Sequence, residues 1–136
     1  RVLFRSVYAD IVGDLFHIGH LNLFRQAKEF GDYLIVGVHS DKSVESYKRT
    51  PIFNERDRYD LIQNCRLVDE VVKDAPLILS KDFIEKNSID VVVHGDDKSV
   101  HFEEQHKVPL EMGLMKYLKY TEGISTTQII EKIKNA

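Results

Sequence analysis

The sequence predicts an α/β fold: a parallel sheet with helices on both faces, in a single domain over residues 1–136. Three observations lead there. Near-solid apolar runs, Tyr33 to His39 (YLIVGVH) and Asp90 to His94 (DVVVH), suit strands covered on both sides. Between the runs lie segments with helical spacing, clearest at Leu21, Phe24, Ala27 and Phe30. The length of 136 residues supports one real core and leaves little room for a second.

Each element has a local reason. Val2 to Asp10 is β-rich and reads as a buried strand, broken at Gly13. Ile18 to Phe30 reads as a helix closed by Gly31 as a C′ residue. Asp41 to Pro51 is polar and basic and reads as a loop. Asn54 is an N-cap for a helix through Cys65, with Glu55 and Asp57 in its first turn. Val68 to Val72 is a third strand, and Ser80 caps a helix through Asn87. Asp90 to His94 is the fourth strand, and a helix is placed over Val100 to His106. Met115 to Tyr120 is a last strand, and Ser125 caps a final helix from Thr126 to Lys134.

Composition narrows the function. Hydrophobic residues make up 43% and charged residues 30%, the balance of an ordinary globular chain. The net charge of −3 supplies no positive field for nucleic acid or an anionic membrane. No apolar run reaches the roughly 18 residues of a membrane span. Cys65 stands alone, which excludes an internal disulfide and any multi-cysteine zinc site. No signal peptide is visible, and a reduced, cytoplasmic protein is the expectation.

Ligands of open α/β sheets sit at the carboxyl ends of the strands. The unusual polar residues collect at those ends. His17-Ile18-Gly19-His20 opens the first helix, with two imidazoles on one side and a glycine that lets a ligand approach. The free amides and positive dipole there favour an anion, and imidazoles can stabilise charge that develops in a transfer. Other readings are two surface histidines at a cap, or a zinc pair that recruits His94 and His101. Tyr120 to Thr127 (YTEGISTT) precedes the last helix and offers a second cradle of hydroxyls and amides. The plain alternative is a capping segment, and a cap and a cradle use the same amides. Two helix N-termini facing one cleft suit a polyphosphate.

Asp14 to His20 (DLFHIGH) and Thr121 to Thr126 (TEGIST) resemble the two signatures of the cytidylyltransferases, which activate phosphocholine, phosphoethanolamine or glycerol 3-phosphate with CTP. Tyr59 to Val71 (YDLIQNCRLVDEV) and Asp90 to Asp97 (DVVVHGDD) are also similar in order and spacing, so the resemblance spans nearly the whole chain. It implies a Rossmann-like fold, a homodimer, Mg²⁺, and release of pyrophosphate as a CDP-alcohol forms. It implies catalytic roles for His17, His20 and Lys48, with Arg49 able to share the lysine's task. It places Asp14, Gly19, Asp97, Thr121, Gly123, Ile124, Ser125 and Thr126 at the nucleotide, Asp14 either ordering the loop or binding substrate or metal. No residue is assigned as a metal ligand. Arg66 reads as mainly structural, and Asp69 stands between roles.

The acceptor expected is of the phosphoethanolamine or phosphocholine type. Glycerol 3-phosphate, an adenylyl transfer and a non-catalytic regulatory nucleotide-binding domain are the alternatives. Three positions depart from the family pattern. The family's Gly-x-Phe-Asp is Ile11-Val12-Gly13-Asp14 here, its arginine before TEGIST is Tyr120, and an aromatic after Ala75-Pro76 is Leu77.

Overall fold

The computed structural model describes residues 5–95 and 102–136. In chain order the elements begin β1 (Ser6–Ile11), α1 (Ile18–Ala27) with a 3₁₀ turn over Lys28–Phe30, β2 (Tyr33–Val38), α2 (Asp41–Glu45) and α3 (Glu55–Gln63). They continue with β3 (Glu70–Lys73), α4 (Lys81–Lys86), β4 (Val91–Gly95), α5 (Phe102–Gln105), α6 (Lys107–Glu111), β5 (Met115–Leu118) and α7 (Thr126–Lys134). The five strands form one all-parallel sheet in the order β3-β2-β1-β4-β5. This is the parallel sheet that the apolar runs predict and the Rossmann-like architecture that the resemblance implies, with its crevice where the order reverses, between β1 and β4.

Strand alternation divides the core between the two faces. Val7, Ala9, Val36 and Val93 pack with Phe24 and Ala27 of α1 and Ile62 of α3. Tyr8, Ile35 and Val92 face the other way, onto Leu79, Ile84 and Ile89. The N-caps at Asn54, Ser80 and Ser125 form as expected, each side chain accepting from the amide three residues on.

Several elements differ from the sequence expectation. The stretch after Ser40 contains α2, because the Ser40 hydroxyl caps it and Val44 is buried beneath it. Gly31 is not a left-handed C′ residue; its φ of −176° is extended backbone. Its requirement is space, since a Cβ there would stand 2.3 Å from the carbonyl oxygen of Arg5. β3 begins at Glu70 because Val68 closes a turn onto Cys65, and Asp69 is spent on the Leu34 amide, 2.8 Å, and on Lys28. β5 stops at Leu118. Phe102–Gln105 is helical, and a second short helix, α6, follows it unforeseen. The start of the Val2 strand, Asp97 and His101 lie outside the described residues.

Arg58 on α3 ties the carboxyl edge together. Its side chain is fully buried and donates to the carbonyls of Val12, 2.6 Å, His39, 2.7 Å, and Phe53, 3.0 Å, and to Asp41 Oδ1, 2.7 Å. Those partners follow β1, follow β2, precede α3 and open α2. Removing the guanidinium strands buried acceptors at each. Arg58→Met should therefore cost about 3–5 kcal/mol, the range for breaking a buried charged network, read as a lower urea midpoint with an unchanged m-value.

Candidate functional site

A cleft of about 1120 Å³ opens at the carboxyl edge of the sheet. Its walls include Asp14, His17, Gly19, His20, Lys48, Thr121, Gly123, Ile124, Ser125 and Thr126. Every predicted site residue within the described chain is thus gathered in one place, and Arg49 lines it too.

Hydrogen bonds stitch the two distant signatures together. Thr126 Oγ1 donates to the Asp14 carbonyl at 3.0 Å, and Asn22 Nδ2 donates to Thr121 Oγ1 at 2.9 Å. Gln26 of α1 adds a two-way clasp on Lys119, donating to its carbonyl and accepting from its amide. The N-termini of α1 and α7 are thereby set side by side.

The His17–His20 segment is a reciprocal capping box. His17 Nδ1 accepts from the Gly19 amide and His20 Nδ1 accepts from the His17 amide, both at 3.0 Å. An imidazole that accepts at Nδ1 carries its proton at Nε2. Both rings are therefore held as neutral tautomers with the N–H at Nε2. Gly19 makes this possible: a Cβ there would stand 2.7 Å from His17 Cε1. Burial, with His17 alongside, pushes the His20 pKa down to about 4, while Asp14 opposes the shift; burial also lowers His17.

Asp14 orders the loop. Its two carboxylate oxygens accept from the amides of Ile52 and Phe53, each at 2.9 Å. That anchors the segment carrying Lys48 and Arg49, both exposed, across from the histidines. Tyr120 lines the cleft with its ring against β4; a Cβ on Gly95 would stand 2.5 Å from Tyr120 Cζ.

Sequence reasoning missed the floor of the cleft. Asp10, at the end of β1, is buried and faced by His39, His94 and His106. Burial alone would raise its carboxyl, but the three imidazoles outweigh that and hold it well below the usual carboxylate range. The register that pairs Ala9 with Val93 forecasts the Asp10–His94 neighbourhood once the strand order is known. His94 thus gathers with Asp10 and His106, not with the His17–His20 pair that a zinc reading assigns it to.

Mg²⁺ takes oxygen ligands in near-octahedral array. The carboxylates lining the described cleft are Asp10 among imidazoles, Asp14 on two amides, and Glu122, exposed at the rim. Among the described residues these do not form a protein cage for Mg²⁺.

The sequence model of the family described as cytidylyltransferase-like matches residues 13–132. The chain is 45% identical over 135 residues to an ethanolamine-phosphate cytidylyltransferase of Dictyostelium discoideum, covering 95% of this chain and 38% of that protein. It is 44% identical over 131 residues to choline-phosphate cytidylyltransferase A of Rattus norvegicus, covering 93% of this chain and 36% of the relative. The chain therefore spans less than half the length of these relatives. Among solved structures it is similar to a lipopolysaccharide core biosynthesis protein from Thermoplasma volcanium, with TM-score 0.66 and 26% identity, over 87% of this chain and 97% of the other. A pantothenate synthetase from Thermus thermophilus shares the fold, with TM-score 0.60 and 15% identity over 97% of this chain and 64% of the other.

The His20 shift has a testable sign. The unfolded imidazole takes a proton near its ordinary 6.5 and the folded one near 4. Between those values the unfolded chain binds more protons, so this contribution to stability falls as pH falls through the window. Urea midpoints measured from pH 7 to pH 4 should decline more steeply for the parent than for His20→Gln. Parallel curves would mean that His20 is not held neutral.

Proposed function

We infer the reaction from one premise, that the chain belongs to the cytidylyltransferase-like family. The reading is transfer of CMP from CTP to an alcohol phosphate of the phosphoethanolamine or phosphocholine type, giving a CDP-alcohol and pyrophosphate. The observation that carries it is the cleft in which Thr126 of one signature is bonded to Asp14 of the other and Thr121 to Asn22, two residues past it on α1. The names of the relatives support the acceptor class.

The nucleophile is a phosphate oxygen, ionised at neutral pH, so no general base is required. It forms a bond to the α-phosphorus as the bond to the bridging oxygen breaks and pyrophosphate departs. Catalysis is then alignment of two anions and stabilisation of spreading charge. His17 and His20 donate from Nε2 as neutral imidazoles, preorganised by their Nδ1 caps. The amides that open α1 and α7 add aligned dipoles, and Gly19, Gly123, Ile124 and Ser125 keep those amides accessible. Lys48, helped by Arg49, brings positive charge from the facing loop. Asp14 acts through the loop it anchors rather than on the substrate. Mg²⁺ on the phosphates supplies further charge neutralisation when bound. Asp97 at the nucleotide, a homodimeric state and a cytoplasmic location complete the proposal.

The test is a panel of alcohol phosphates with CTP or ATP and Mg²⁺, reading pyrophosphate. CTP with phosphoethanolamine or phosphocholine should turn over fastest. ATP turnover equal to or above CTP turnover overturns the nucleotide assignment, and CTP binding with no pyrophosphate release favours a regulatory domain. His20→Ala should lower kcat by about 10²–10³, the range for loss of one preorganised donor, and a change within a few-fold excludes His20 from the reaction.

Tyr120 stands where the family resemblance expects an arginine. The phenol supplies no charge-assisted bond, worth about 1.5–3 kcal/mol. Tyr120→Arg should raise kcat/KM for CTP by about tenfold per 1.4 kcal/mol recovered. If the gain is below about twofold while Arg49→Ala or Lys119→Ala is costly, one of those cations already fills the role. If none of the three matters, position 120 does not face the phosphates.

A further inference from the structure

Two side chains on one face of α1 reach across to the segment before α7. Asn22 and Gln26 are one helical turn apart, so they stand one above the other on the helix. Gln26 grips Lys119 in both directions: Nε2 donates to its carbonyl at 2.9 Å, and Oε1 accepts from its amide at 3.0 Å. Asn22 grips a side chain instead. Its Nδ2 donates to Thr121 Oγ1 at 2.9 Å, and its Oδ1 accepts from Arg25 Nη1 at 2.9 Å.

The two bonds give the Asn22 amide a direction. A guanidinium can only donate, so the atom that meets Arg25 is the oxygen and the atom that meets Thr121 is the nitrogen. A threonine hydroxyl has one proton to donate and lone pairs to accept with. Asn22 occupies a lone pair of Thr121, which leaves the proton to be spent elsewhere. Among the described residues no acceptor takes it. Thr121 is half-buried and lines the cleft, whereas Asn22 and Arg25 stand behind it, outside the lining. The hydroxyl is thus primed as a donor to an anionic oxygen that enters the cleft.

Attachment alone does not account for the Asn22 bond. The Gln26 clasp already fixes position 119, and Thr126 Oγ1 ties the far side of the segment to the Asp14 carbonyl. What Asn22 adds between those two anchors is polarity. A lone pair turned toward a phosphate repels it, while an O–H turned toward it makes a charge-assisted bond. Arg25 is exposed and three residues on from Asn22, so the two are neighbours on the helix surface. The guanidinium holds the amide oriented from the solvent side and places a positive charge at the far end of the chain of bonds.

We propose that Asn22 is a positioning residue that sets the polarity of Thr121, holding its hydroxyl as a donor to a phosphate oxygen of the bound nucleotide, with Arg25 fixing the orientation of the Asn22 amide. This role rests on the reading of the cleft as a nucleoside triphosphate site and is indifferent to the base, so its test and the turnover test fail separately.

The probe is inorganic tripolyphosphate with Mg²⁺, titrated into the chain by calorimetry, with CTP titrated in parallel. Asn22→Asp is nearly isosteric and keeps a partner for Arg25. A carboxylate only accepts, so it takes the Thr121 proton and turns a lone pair toward the phosphate. The variant should weaken both ligands by about 10- to 100-fold, the loss of a hydrogen bond to a charged group, with a urea midpoint no lower than the parent's. Thr121→Val should weaken them to a similar extent. In the double variant the loss should match that of either single variant within about twofold, because one residue acts through the other. Arg25→Glu changes an exposed position, offers Nδ2 an acceptor and so turns Oδ1 to Thr121. It should weaken binding in the same direction, and Thr121→Val should erase that effect too. The proposal is overturned if Asn22→Asp binds tripolyphosphate within about twofold of the parent, or if the losses multiply in the double variant, which would make the new carboxylate a repelling charge only. Should Asn22→Asp lose stability, Arg25→Glu decides, and parental affinity there overturns the proposal. A parent that turns over ATP rather than CTP refutes the nucleotide assignment and leaves this test standing, since tripolyphosphate carries no base. A parent that binds neither ligand overturns both.

Discussion

One buried guanidinium holds the functional edge in place. Parallel strands end in loops whose backbone groups have no ladder partners, and a cleft built from such loops is the natural weak point of an α/β domain. Arg58 answers that problem with four donors aimed at segments from four places in the sequence. The turn after β1 leads into the histidine signature, and α2, which Arg58 holds at Asp41, leads into Lys48. Both are fixed relative to α3 through the same rigid fork, which a lysine could not reproduce. The relative position of the imidazoles and the basic loop thus rests on a residue that grips the backbone at the end of that loop, at Phe53, and ahead of the histidine signature, at Val12.

Within that frame, structural and chemical demands fall on the same atoms. Helix α1 begins with unsatisfied amides, and ordinary sequences would cap them with serine or aspartate. Here two histidines do it reciprocally, and the glycine between them clears the space. Capping at Nδ1 fixes each tautomer, so that Nε2 carries the N–H as a donor. Burial keeps His20 neutral, because a proton on Nδ1 would break the cap. The same logic applies to Asp14. Its carboxylate is fully engaged by the Ile52 and Phe53 amides, and its backbone carbonyl receives Thr126, so one residue links the first signature, the basic loop and the second signature.

What was legible in the sequence was what is local. Asn54, Ser80 and Ser125 announce helix starts because a cap and its helix lie within three residues. The runs YLIVGVH and DVVVH announce buried parallel strands because both faces are apolar. The gathering of the cleft followed from the rule that such strands share one carboxyl edge. Arg58 was illegible for the opposite reason. It sits in ERDRYD, which reads as a solvated charged face, and all its partners but Phe53 are distant in sequence. His39 and His106 were likewise invisible as partners of Asp10, since only the folded register brings 10, 39, 94 and 106 together.

The displaced glycine of the first signature shows how such long-range demands rewrite a motif. Where the resemblance expects a glycine early in the turn, this chain has Ile11, which extends β1 by pairing with Val38 and packs its side chain on the core. The turn then has to happen later. Gly13 makes it, with φ of +74°, a conformation that costs glycine little, and Leu15 follows at +51°. A Cβ at position 13 would also stand 2.5 Å from Ile62 Cδ1, so the turn is pressed directly against α3. That is the helix whose Arg58 grips the carbonyl of Val12, one residue before the turn. The longer strand, the later glycine, Ile62 and Arg58 are therefore one coupled solution. A loop with the glycine moved back to position 11 would take the Ile11 side chain out of the core and would have to place its turn differently against α3.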